Sequence, residues 1–131
     1  MSALDPRERD LVKCEDMRIH AKRAQQFLGM RSLDEFVTDE MMQAAIVRCL
    51  EVIGEAARLV SEQTRKRASE IPWPLVIGMR HVLAHDYGSV DLDRVYVVAT
   101  QHLPDLTARL VVLIRLLEKE VGWKEQDGSE A

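Results

Sequence analysis

The sequence predicts an all-α fold, an up-and-down bundle of four to five helices, from three observations. Apolar residues recur every three or four positions along four stretches, the spacing of one helix face. Those stretches are bounded by residues that start and stop helices. Aromatics make up only 5% of the chain while Leu, Val, Ala and Met are plentiful, a palette for helix-on-helix packing rather than sheets. At 131 residues the chain suits a single domain with its own core. Residues 122–131 read as a frayed polar tail.

The first helix is predicted from about Pro6 to Gly29, with Leu11, Cys14, Met17, Ala21, Ala24 and Leu28 on its inner face. Pro6 suits a first turn and Gly29 a stop. Ser32-Leu33-Asp34-Glu35 has the form of a capping box and opens a short helical turn. Thr38 is the expected cap of the next long helix, with Asp39 and Glu40 at its positive end. Its expected seam is Met42, Ala45, Cys49, Val52, Ala56, Leu59 and Val60, and Arg65-Lys66-Arg67 should close it. Gly54 interrupts that seam, which weakens the helix but lets another backbone come close. Ile71-Pro72-Trp73-Pro74 is a rigid connector into a third helix. That helix is expected over Trp73 to His85, with Val76, Met79 and Leu83 inward, and Asp86-Tyr87-Gly88-Ser89 breaks it. The last helical region, about Asp91 to Val121, carries a long stripe from Leu92 and Val95 to Leu117. Pro104 should kink or split it.

Composition excludes several classes. Hydrophobic residues make up 47% and charged residues 31%, too balanced for wholesale disorder. The net charge of -4 argues against tight non-specific binding of nucleic acid, so any RNA contact must use a local patch. Cys14 and Cys49 fall in apolar stripes and read as buried thiols of a reducing compartment. The apolar run Leu110–Ile114 stops at Arg115, far short of a membrane span. The N-terminus shows no signal pattern, and the chain is expected to be cytoplasmic.

For chemistry, no glycine-rich phosphate loop, nucleophile elbow or Cys-x-x-Cys pair is present. No histidine follows a glutamate by three residues, as di-iron bundles require. His81 and His85 share the spacing of the zinc-protease motif, but Val82 stands where its glutamate belongs. A bare two-histidine metal site stays open, with Asp86 its one evident further ligand. Arg80 and His85, five apart, lie about 140° around an ideal helix. They converge if the helix ends near His85 or if a second subunit completes the site. A guanidinium for phosphate and an imidazole for protons are the minimum kit for metal-free phosphodiester cleavage. A histidine at a helix end can equally serve the dipole, and an arginine nearby can cap carbonyls.

The run Arg80-His81-Val82-Leu83-Ala84-His85-Asp86-Tyr87 resembles the R-x-x-x-x-H-x-Y signature of HepT-like HEPN-domain toxins. Arg48 to Ala56 is similar to the family's second-helix segment, and Ile71-Pro72-Trp73 to the entry of its third helix. Asp91-Leu92-Asp93 and Leu103-Pro104-Asp105-Leu106 resemble its last helical region. The resemblance implies a HEPN-like helical domain forming a homodimer, with the two signature segments facing each other across a cleft. It implies endoribonuclease activity on RNA without metal or other cofactor, with Arg80 and His85 catalytic and His81 and Asp86 supporting. It also implies a minimal nucleotidyltransferase antitoxin as partner, which in some members adds AMP to the tyrosine, here Tyr87. One departure stands: the residue after the arginine is commonly Asn in the family and is His81 here, which can hydrogen-bond the phosphate or support His85. The alternative is a non-catalytic HEPN dimer that binds a nucleotide or a partner protein.

Overall fold

The computed structural model describes residues 5–81 and 90–122. Among these the fold is all-α, as the sequence predicts. Helix α1 runs Pro6–Leu28, α2 Leu33–Val37, α3 Glu40–Leu59, α4 Glu62–Arg67 and α5 Trp73–Gly78. A 3-10 turn, Met79–His81, follows α5. Helix α6 (Leu92–Val97) then passes through a π turn (Val98–His102) into α7 (Leu103–Val121).

Helix α1 is central, packing along both α3 and α7. Its predicted inner face is buried at every position, from Leu11 to Leu28. Asp5 starts it with a capping box: its carboxylate accepts from the Arg7 N–H at 2.8 Å while Glu8 accepts from the Asp5 N–H. Gly29 ends it at φ +59, a conformation that side chains disfavour. The Ser32–Glu35 capping box forms as expected.

Three expectations are corrected. Asp39, not Thr38, caps α3, accepting from the Met42 N–H at 2.9 Å. The Thr38 hydroxyl turns back onto the carbonyls of Asp34 and Glu35 to close α2. The α3 seam is rotated from the expected one. Ile46, Leu50, Ile53 and Ala57 are buried, while Leu59 is exposed and Ala45 and Val52 only partly covered. And α3 ends at Leu59, so Arg65-Lys66-Arg67 closes a separate helix, α4, capped by Ser61.

That separation has a cause. Asp10, 3% exposed on α1, accepts from the Ser61 N–H (2.9 Å), the Ser61 hydroxyl (2.6 Å) and the Thr64 hydroxyl (2.5 Å). A buried carboxylate is tolerated only when its lone pairs are met. The chain therefore leaves the α3 path at Val60 and presents the start of α4 to Asp10. At the far end of α4, Arg67 makes a two-pronged pair with Glu120 on α7.

Of the two outcomes expected at Pro104, the split does not occur: the last helix is continuous from Leu92 to Val121. Proline has no N–H for the carbonyl one turn back, and its ring crowds that carbonyl. The preceding turn widens to a π turn instead. By length and average composition this helix passes as a membrane span, although no uninterrupted apolar run approaches one. Here its stripe Val95, Ala99, Leu103, Leu106, Leu110, Leu113 and Leu117 is core. Tyr96 anchors its start, donating to the Arg31 carbonyl at 2.8 Å and lying 5.9 Å from the Phe36 ring. Both cysteines are buried and unpaired, and burial pushes the Cys14 thiol up to about 12, as expected of inert core thiols.

Candidate active site

The third helical stretch places the first half of the signature. Trp73 is buried, and its indole N–H donates to the Ala68 carbonyl at 3.0 Å, which pins the start of α5. Val76 and Met79 face the core as expected. The stretch does not stay α-helical toward His85, however: α5 ends at Gly78 and a 3-10 turn carries Arg80 and His81. Leu83, His85, Asp86 and Tyr87 lie outside the described residues, as does the tail beyond Gly122.

The tighter turn seats Arg80 on Gly54 of α3. A β-carbon added to Gly54 would lie 2.2 Å from the Arg80 backbone nitrogen and 2.9 Å from its Cα. The close approach that a mid-helix glycine suggests is therefore made by the backbone of Arg80. Gly54 serves here by its missing volume, not by an unusual backbone angle.

The Arg80 side chain, 31% exposed, leaves the turn along the outer edge of α3. Its Nε donates to His81 Nε2 at 3.0 Å and its Nη1 to Glu55 Oε1 at 3.3 Å. Because the guanidinium has only donors, His81 Nε2 is the acceptor and the imidazole proton sits on Nδ1. Glu55 also receives Arg58, at 2.6 Å. Two guanidiniums share one carboxylate, so this edge is locally positive on a chain whose net charge is negative. Glu51 pairs with Arg48 at 3.6 Å. Glu51, Glu55 and Arg48 thus form ion pairs at the bundle edge, as their spacing suggests. The contact of Glu55 with Arg80 was not expected from the sequence. Gly54 marks a close approach without saying which backbone makes it, so nothing in the sequence pointed to this pair.

Arg58 first, through its hydrogen bond and charge, and then Arg80 hold the Glu55 carboxyl below its ordinary value of 4.5. A depressed carboxyl favours the folded arrangement above the unfolded value and loses that contribution as pH falls through the folded one. The Glu55 carboxyl carbon, followed by NMR, is expected to titrate below 4.5 and to move up in Arg58→Ala. A wild-type midpoint at or above 4.5 would refute the shared-carboxylate geometry.

The other basic run is largely occupied: Arg65 donates to the Val60 carbonyl and Arg67 pairs with Glu120. His20 is bonded to the Asp16 carbonyl, and His102 is exposed on the π turn. Among the described residues no three His, Cys, Asp or Glu side chains gather as a metal site.

The structure thus holds a guanidinium and an imidazole together on an outward turn of a small helical bundle, side chains whose chemistry suits a phosphate group. The family model described as Ribonuclease HepT-like matches residues 17–113, which include Gly54, Glu55 and the whole Arg80–Tyr87 segment. The chain belongs to this HepT-like ribonuclease family. Among similar proteins, "Putative RNase MJ0125" of Methanocaldococcus jannaschii is 33% identical over 87 residues, covering 66% of this chain and 75% of that protein. "Putative RNase TTE0752" of Caldanaerobacter subterraneus subsp. tengcongensis is 33% identical over 89 residues, covering 68% and 77%. "Probable ribonuclease HepT" of Thermococcus cleftensis is 28% identical over 95 residues, covering 72% and 86%. No solved structure matches the chain.

Proposed function

We propose that this protein is a metal-independent endoribonuclease, the toxin of a toxin–antitoxin pair, with its active site at a homodimer interface and a nucleotidyltransferase antitoxin as partner. The observation that carries the reading is the seat of Arg80. Its backbone is clamped on Gly54 and its guanidinium is steered by His81 onto an exposed edge, inside the stretch matched to the ribonuclease family. The RNase names of the relatives point the same way.

In this mechanism a ribose 2′-oxygen attacks the adjacent phosphorus as its proton leaves, and the bond from phosphorus to the 5′-oxygen breaks. The departing 5′-oxygen takes up a proton, leaving a 2′,3′-cyclic phosphate and a 5′-hydroxyl. His85 moves protons in this sequence, and Arg80 stabilises charge on the phosphoryl oxygens. While Arg80 Nε stays on His81, Nη1 exchanges Glu55 for the phosphate. Asp86 supports the segment, and adenylylation of Tyr87 would set a bulky anion against Arg80 and exclude RNA.

Purified protein incubated with RNA in EDTA is expected to cleave it and to leave cyclic phosphate ends. Arg80→Ala and His85→Ala should each lower the rate by at least about a hundredfold without loss of helicity. Undiminished cleavage in both variants would remove these residues from the chemistry. Binding without cleavage by the wild type would support the non-catalytic alternative. With the nucleotidyltransferase and ATP, mass spectrometry should show a gain that Tyr87→Phe loses. An unmodified wild type would mean that the partner only caps the site.

A further inference from the structure

The Met79–His81 turn also borders a cavity of about 570 Å³ between α5 and the wall formed by α6 and the π turn. That volume is typical of sites for small organic ligands. Its apolar walls are Leu75, 68% exposed on α5, and Val97 and Val98 opposite. Among the described residues, three nitrogen-bearing side chains line it as well: His81, Arg94 and His102. Among the described residues, the two carboxylates at the cavity are already engaged. Asp91 caps α6, accepting from the Arg94 backbone N–H at 3.1 Å, and Asp105 accepts from Arg109 at 2.8 Å. Among the described residues, no carboxylate lies within ion-pair distance of the Arg94 guanidinium.

An apolar slot that, among the described residues, offers a guanidinium with no carboxylate partner and two imidazoles suits a flat, partly apolar ligand that carries an anion. A nucleotide has that composition, with a base for the slot and a phosphate for Arg94. The π turn contributes directly, since Val98 and His102 both sit on it. His81 joins this cavity to the Arg80 site, because it lines the first and accepts from the second.

We infer that the cavity between α5 and the π turn is a nucleotide subsite. It seats one unstacked base of single-stranded RNA, with Arg94 on a phosphate, beside the phosphate bound by Arg80. This rests on the ribonuclease reading above and extends it from a cleavage site to a base-reading one. Duplex RNA keeps its bases stacked and cannot fill such a slot, so the substrate class is single-stranded RNA.

The test uses the full chain and a short single-stranded RNA with 2′-O-methyl riboses, which cannot be cleaved through the 2′-oxygen. Leu75→Trp fills the slot at an exposed position, and Arg94→Gln removes the cation. Each should weaken binding by about tenfold or more, the scale of one lost phosphate contact or of one base shut out of its apolar seat. On cleavable RNA each should raise KM by a similar factor, with kcat within about twofold of wild type. Circular dichroism melts verify that both variants fold. Wild-type binding and KM in both variants would overturn the subsite, even if Arg80→Ala abolishes cleavage and the nuclease reading stands. Nucleoside monophosphates binding as tightly as the oligonucleotide would reassign the cavity to free nucleotides and overturn the RNA subsite. Self-association abolished by Leu75→Trp would overturn it in favour of a second copy of this chain. If the wild type fails to cut RNA, the nuclease reading falls, and the oligonucleotide titration alone decides the subsite.

Discussion

Gly54→Ala is expected to lower ribonuclease activity by about a hundredfold or more, the scale seen when a catalytic group is misplaced by roughly an ångström. The added methyl would stand 2.2 Å from the Arg80 nitrogen, where real contacts essentially never fall below 3.0 Å. The obstacle is backbone and not the far end of a flexible side chain, so α3 and the Met79–His81 turn must separate. Helix propensity works the other way, favouring alanine by roughly 0.5–1 kcal/mol. Overpacking of about 1–3 kcal/mol outweighs it. The melting temperature should therefore fall together with the rate. Gly78→Ala is the matched control, because among the described residues nothing lies within 4 Å of a β-carbon there. That variant should keep its kcat, and its melting temperature should hold or rise, because alanine favours the helix there too. A Gly54→Ala protein as stable and active as wild type would show that Arg80 does not depend on this seat.

Asp10→Ala should destabilise the fold by about 3 kcal/mol, measured by urea denaturation, because it strands the Ser61 N–H and the Thr64 hydroxyl in a buried place. Asp10 is 3% exposed and Thr64 2%. Thr64→Val, which keeps the shape and removes one hydroxyl, should lose about 1 kcal/mol. The bonds tie α1 to the start of α4, about fifty residues on, so their loss should loosen α4 before the α1–α3 core. Hydrogen exchange can follow this, with amides of α4 exchanging first. Equal stability of Asp10→Ala and wild type would mean that water replaces the carboxylate at no cost.

How legible each element was depends on how many sides it packs. Helix α1 reads from sequence because one apolar stripe runs its whole length, while its other apolar residues, Val12, Ile19 and Phe27, are scattered among charged ones. Helix α3 meets α1, α2, α5 and the 3-10 turn, so it is apolar on several faces and offers two plausible seams. Met42, Cys49 and Ala56 belong to both, which is why the expected seam was close yet turned. The break at Val60 was hidden for a different reason. Its cause, Asp10, looks like one more polar residue in a helix until Ser61 and Thr64 are brought to it. Of the candidate site, the sequence disclosed Arg80, His81 and the meaning of Gly54 as a place of close approach. The partner at Gly54, the bond from Arg80 to Glu55 and the cavity beside His81 were not visible there.

Local pattern alone determined the helical class, most helix limits and the inward face of α1 and of the last helix. These follow from periodicity and capping, which act over a few residues. Tertiary structure decided which backbone rests on Gly54, where α3 stops, how the chain accommodates Pro104 and what Arg80 grips. Each of those depends on atoms distant in sequence meeting at contact range, and short-range pattern carries no information about which distant group arrives.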